Sequence, residues 1–177
     1  MTTSSKSAFI SGPISPPPDY FATHYTPPIL TAASRGDNFI LGPASGIDTL
    51  ALNFLLTTAN VPAYKITVYL AEFENKAFRS RFAAFEAAGG NIKVVGVTTG
   101  ERDAAMTEES DYDILRYMTQ EEASKLYGNV YWPRISNTEK NERRRKGLPL
   151  HGSAEEAAVV KTEGGWLKRV RERFEGK

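Results

Sequence analysis

"NFILGPASGIDTLAL", residues Asn38–Leu52, decides how the chain is read. Phe39, Ile40 and Leu41 form a short apolar run of strand length. Gly42 to Gly46 then make a turn of small residues. After it, Ile47, Leu50, Ala51, Phe54 and Leu55 fall at the i, i+3, i+4, i+7, i+8 spacing of one helical face. The stretch therefore reads as strand, tight turn and amphipathic helix.

The same alternation recurs along the chain. Strand-length runs occur at Ala8-Phe9-Ile10, Ile66 to Leu70, Ile92 to Val97 and Tyr112 to Leu115. Phe78, Phe82 and Phe85 repeat the helical spacing between two of them. Strands that alternate with helices predict a parallel sheet covered on both sides, because a right-handed crossover returns the chain through a helix. The fold class is α/β. Pro27-Pro28, in the first crossover between Asp19 and Arg35, should break or kink it, since proline removes a donor and restrains its predecessor.

Composition bounds the function. The 177 residues are 41% apolar and 11% aromatic, enough for one respectable core. A net charge of +1 gives no global argument for a nucleic-acid or membrane partner. The absence of cysteine excludes a disulfide framework and thiolate metal sites, and His24 and His151 lie too far apart to suggest a ligand pair. We expect no metal and no cofactor. The N-terminal apolar run is too short for a signal peptide and no stretch approaches membrane-spanning length, so the expectation is a soluble cytoplasmic protein.

In a parallel α/β sheet, ligands bind outside the carboxyl ends of the strands, where the chain enters helices. Gly42, Ser45 and Gly46 would let the backbone approach a ligand there, and the amides opening the following helix attract an anion such as phosphate. Asp48, in the first turn, could cap the helix or hold a ribose hydroxyl. The alternative is a plain structural turn, which also favours glycine.

A second stretch, "GERDAAMTEESDYDI" (Gly100–Ile114), carries Arg102, Met106, Ser110 and Asp111. Their intervals resemble the Arg-x-x-x-Met-x-x-x-Ser-Asp pattern of the phosphoribohydrolase branch of the SLOG superfamily. That superfamily joins the DNA-processing protein A of bacterial transformation to the Lonely Guy phosphoribohydrolases. "GPASGIDTLA" is similar to the glycine-rich loop of the DNA-processing branch. The resemblance implies a Rossmann-like parallel sheet of five or more strands with helices on both faces, a nucleotide or nucleoside-monophosphate ligand, and Arg102 at the ligand. It implies a homodimer as well. Met106 reads better as core filling. The opening Ser11-Gly12-Pro13, closing the first strand, is similar to the start of nucleoside deoxyribosyltransferases and adds Ser11 and Gly12 to the ligand-binding candidates, as the pattern adds Asp111.

"SNTEKNERRRKGLPL" (Ser136–Leu150) resembles a divergent second loop of the superfamily, with Asn137 in place of glycine. Ser136 and Glu139 have the spacing of a capping box, so a helix should start here. Ser136 and Thr138 offer hydroxyls beside its opening amides. Lonely Guy enzymes hydrolyse an N-glycosidic bond with a glutamate three positions beyond the loop threonine. Here that position is Asn141, and an amide cannot serve as a carboxylate base. Glu72, Glu139 and Glu142 are the substitute acids at hand, and each also reads as a cap or a solvated charge.

The resemblance organises residues 1–150 as one nucleotide-binding domain with an insertion over 119–135. The insertion contains a short helix and the aromatics Tyr127, Tyr131 and Trp132, which could stack on a base or form a dimer surface. Residues 151–177 read as a linker and a basic amphipathic helix, with Trp166, Val170 and Phe174 on one face. Three readings stay open: an enzyme acting at an N-glycosidic bond, a non-catalytic nucleotide-sensing module, and a single-stranded nucleic-acid binder suggested by the basic C-terminal quarter.

Overall fold

In the computed structural model, which describes residues 5–151, five strands pair in parallel: β1 (Ser7–Ser11), β2 (Asn38–Leu41), β3 (Ile66–Leu70), β4 (Asn91–Val94) and β5 (Tyr112–Leu115). Their order across the sheet is β4-β3-β2-β1-β5. The chain is α/β and Rossmann-like, as its alternation predicts. β4 is shorter than its apolar run, because the backbone turns away at Gly96, where φ is +72°.

Side chains alternate across the strands and build two unequal layers. Ala8 and Ile10 of β1, Phe39 and Leu41 of β2, and Ile66, Val68 and Leu70 of β3 point to one face. That face is covered by α2 (Thr26–Ser34) through Ile29 and Ala32 and by α3 (Ile47–Thr57) through Ile47, Ala51 and Leu55. Each of these large apolar side chains contributes about 1.5–3 kcal/mol on full burial. Phe9, Ile40 and Tyr69 point to the other face, where Met106 of α6 (Thr99–Glu108) fills the gap as its spacing predicts.

The first crossover is broken, as its prolines predict, into two helices, α1 (Tyr20–His24) and α2, with Pro27 and Pro28 in the opening turn of the second, where missing amide donors cost nothing. Another expectation needs adjustment. The Phe78, Phe82 and Phe85 spacing spans three pieces, α4 (Glu72–Phe78), a 3-10 turn (Arg79–Phe82) and α5 (Ala83–Ala87). Phe82 and Phe85 still reach the core.

Strand order fixes where a ligand would enter. From β1 the chain steps outward through β2, β3 and β4, then returns to place β5 on the far side of β1. The order reverses between β1 and β5, and the carboxyl ends of those strands flank the topological switch point. Tyr25 ties that end together. Its buried hydroxyl lies 2.8 Å from the Ser11 carbonyl and 2.9 Å from that of Arg116, with one proton to share, and accepts the Arg116 amide at 3.0 Å.

Candidate functional site at the carboxyl edge

Helix α8 (Asn137–Arg145) follows α7 (Gln120–Tyr127) and runs back along β5. Its later turn meets the strand's beginning, where Arg145 binds Asp113 at 2.8 Å and the Ser110 carbonyl at 2.7 Å. Its first turn therefore stands at the carboxyl edge. Ser136 caps it by accepting the Glu139 amide at 3.1 Å. The predicted capping box is only half formed: the Glu139 carboxylate takes Arg143 at 2.8 Å, because a charge-assisted pair outcompetes a neutral amide donor. Asn137 and Thr138 open the helix with amides that have no intrahelical acceptor, and Thr138 is buried.

From this turn Asn141, 3% exposed, reaches the end of β1. Its side-chain amide donates to Ser11 Oγ at 3.0 Å and its carbonyl accepts from Arg144 at 2.5 Å. These partners lie 130 residues apart in sequence, yet both were site candidates. Arg144 also approaches the opening of α6: a Cβ on Gly100 would stand 3.8 Å from its Nη2. Among the described residues Arg144 makes no ion pair, unlike its neighbours Arg143 and Arg145.

Next to this chain lies a charged cluster. Continuing the β1–β2 register, in which Phe9 sits beside Ile40, sets Ser11 beside Gly42. A side chain on Gly42 would overlap Asp48 Oδ2 and stand 3.6 Å from the Arg102 guanidinium. Arg102 is 7% exposed and is held by Asp103 at 2.8 and 3.1 Å and by Glu74. Glu74 also accepts the Ala71 amide at 2.8 Å, capping α4. Asp48 turns back to accept the Ala44 amide at 3.2 Å.

One guanidinium thus faces three carboxylates, and the imbalance shows in their protonation. Burial pushes the Asp48 carboxyl up; Arg102 and the Ala44 amide oppose, Asp103 and Glu74 reinforce, and it titrates at about 7. Burial alone would lower the Arg102 guanidinium, but Asp103 and Glu74 override it and hold it above its ordinary value.

The glycine turn itself is packed from outside. Gly46 has φ +75° and presses on the backbone of Pro13 and Ile14, and the Ile47 amide, first in α3, donates to the Pro13 carbonyl at 3.1 Å. Gly12 leaves room for Tyr25 and Ile47 in the same way. Ser45 is exposed. So the β1 loop lies between the turn at Gly42 to Gly46 and the turn at Ser136 to Thr138, with both at one edge of the sheet.

Two candidates lie elsewhere. Asp111 stands at the opposite, amino end, where its carboxylate accepts the Ser7 amide at 2.7 Å and its own amide donates to Ser7 at 2.8 Å, locking β5 to β1. Glu72 is exposed at the start of α4, its amide bound to the Gly96 carbonyl at 2.9 Å. Glu74, Asp103 and Arg144 were not anticipated. Glu74 had a signal in hand, since Glu at the third helical position after a strand marks a cap.

Among the described residues no group of three or more His, Asp or Glu side chains is placed to hold a metal ion, and no helix is long and apolar enough to cross a membrane. Compared with protein-family models, with curated proteins and with solved structures, the chain matches none. The expected basic helix, past His151, lies outside the described residues.

Proposed function

We propose that the protein is a divergent SLOG-like protein that binds a nucleotide, in the simplest case a nucleoside monophosphate, with its phosphate at the carboxyl edge beside Ser11, Thr138 and Arg144. The observation that carries this reading is the Ser11–Asn141–Arg144 chain at the switch point. It links Ser11 to an arginine without a carboxylate partner among the described residues, whose guanidinium lies near Gly100 at the opening of α6, where helix amides and the dipole favour an anion. Arg102 then acts from beneath, fixing the Gly42 turn rather than gripping phosphate, because its guanidinium is already shared by Glu74 and Asp103.

Cleavage of an N-glycosidic bond is the second reading, and one observation favours it. Asp48, titrating at about 7, is poised to give a proton to a leaving base near neutrality, whereas Glu139 is engaged by Arg143 and Glu72 faces solvent. A homodimer in a reducing, cytoplasmic setting completes the proposal. The insertion supports it through Val130 and Trp132, 72% and 40% exposed, and light scattering tests it.

The test of the binding reading is calorimetric titration with AMP, GMP, CMP and UMP, with chromatography for free base. Arg144→Ala should weaken the best ligand by about 1.5–3 kcal/mol, the loss for a hydrogen bond to a charged group. Unchanged affinity in that variant would remove Arg144 from the site. Base release that disappears in Asp48→Asn would select the enzyme over the sensing module.

A further inference from the structure

On the face of the sheet that α3 covers, α3 and the segment from Arg81 to Ala88 border a groove of about 350 Å³, at the small end of ligand-pocket volumes. Its lining is mixed: Asp48, Thr49, Asn53 and Arg81 bring polar groups, and Leu52, Leu56, Phe82 and Phe85 form apolar walls. Arg81 donates to no acceptor among the described residues, and its guanidinium is set against the rings of Phe78 and Phe82, at 5.4 and 5.9 Å from their centroids. A planar cation held at the mouth of an apolar slot is preorganised for a planar anion.

We infer that this groove binds a small aromatic or branched aliphatic carboxylic acid, its carboxylate on Arg81 and its apolar body between α3 and α5. The chemistry narrows the class. Arg81 is the one cationic side chain lining the groove, so it matches a monoanion, and a forked carboxylate meets a guanidinium through two parallel hydrogen bonds. The Asp48 carboxyl in the same lining disfavours a dianionic phosphate. Walls of leucine and phenylalanine suit the apolar body of such an acid. The groove shares none of Ser11, Thr138, Asn141 and Arg144 with the site proposed for the nucleotide, and borders it only at Gly42, Pro43 and Asp48.

The probes are 3-phenylpropionate and 4-methylpentanoate, each paired with its neutral amide, titrated into the full chain by calorimetry. Each acid should bind, and about tenfold more tightly than its amide. Arg81→Ala, at an exposed position, should erase that difference, and Ala84→Phe, which fills the groove, should abolish binding of acid and amide alike. Failure of both acids to bind at millimolar concentration overturns the inference. So does equal binding of acid and amide by the wild-type chain, or acid binding that survives Ala84→Phe. Loss of nucleoside-monophosphate binding in Arg81→Ala but not in Arg144→Ala would also overturn it, by making the groove part of a nucleotide site.

Discussion

Replacing Asp48 by asparagine should stabilise the protein above neutral pH. Asp48 is the third carboxylate around a single guanidinium, and the folded state raises its titration from 3.8 to about 7. Over that interval the unfolded chain has lost the proton and the folded chain keeps it, so unfolding releases a proton and stability falls as pH rises. The full rise corresponds to about 4 kcal/mol at about 1.4 kcal/mol per unit. Asp48 retains part of its surface in solvent, which screens the penalty, so the expected effect is about 1–2 kcal/mol. Asparagine keeps an oxygen for the Ala44 amide and removes only the charge. About three fifths of that develops between pH 5 and pH 8, so urea denaturation at the two values should show the gap between variant and wild type widening by about 0.6–1.2 kcal/mol in favour of the variant. Carboxylates that the fold holds low, such as Glu109 beside Lys93, act in the opposite sense at lower pH and cancel in the comparison. A gap that stays constant, or widens in favour of wild type, would refute the charge imbalance.

Two further substitutions separate packing from electrostatics. Arg102→Met leaves Glu74 and Asp103 buried without their cation and should cost about 3–5 kcal/mol in a denaturation curve, part of it recovered when Asp103→Asn is added. Gly46→Ala should cost about 2–4 kcal/mol, since φ +75° is strained for alanine and its Cβ would overlap the Pro13 and Ile14 backbone. Gly89→Ala, also at positive φ but with nothing within 4 Å, should cost only about 1 kcal/mol, and equal losses at the two glycines would show that the β1 loop does not press on Gly46.

The sheet was legible because its signal is local. A parallel strand buried on both faces is a short apolar run, and a crossover helix carries its own period, so five strands and their alternation with helices could be read without knowing what packs on what. Strand order was not legible in that way. That β5 lies beside β1, rather than extending the sheet past β4, is written in contacts such as Asp111 with Ser7 and the pairing of Phe9 with Asp113, between residues far apart in the chain. The break of the phenylalanine helix at Arg79 to Phe82 was hidden for a related reason: a 3-10 turn displaces side chains only slightly, so the spacing survives while the helix does not.

The site divides along the same line. Small residues at a strand end announce a close approach, and Gly12, Gly42 and Gly46 all have one, but the approaching groups are Tyr25, Asp48 and the Pro13 loop of the chain itself. A glycine reports that space is needed, not what fills it. Asn141 makes the opposite case. Read against a family glutamate, it marked a missing charge; in the fold it is a buried amide that donates to Ser11 and accepts from Arg144, two roles a carboxylate cannot fill together without a proton. With glutamate there, Ser11 would have to turn its own hydroxyl proton inward and Arg144 would become an ion-pair partner, no longer available to a phosphate. The asparagine is therefore compatible with the proposed anion site, and in the proposed cleavage the proton would come from across the Gly42 turn, at Asp48.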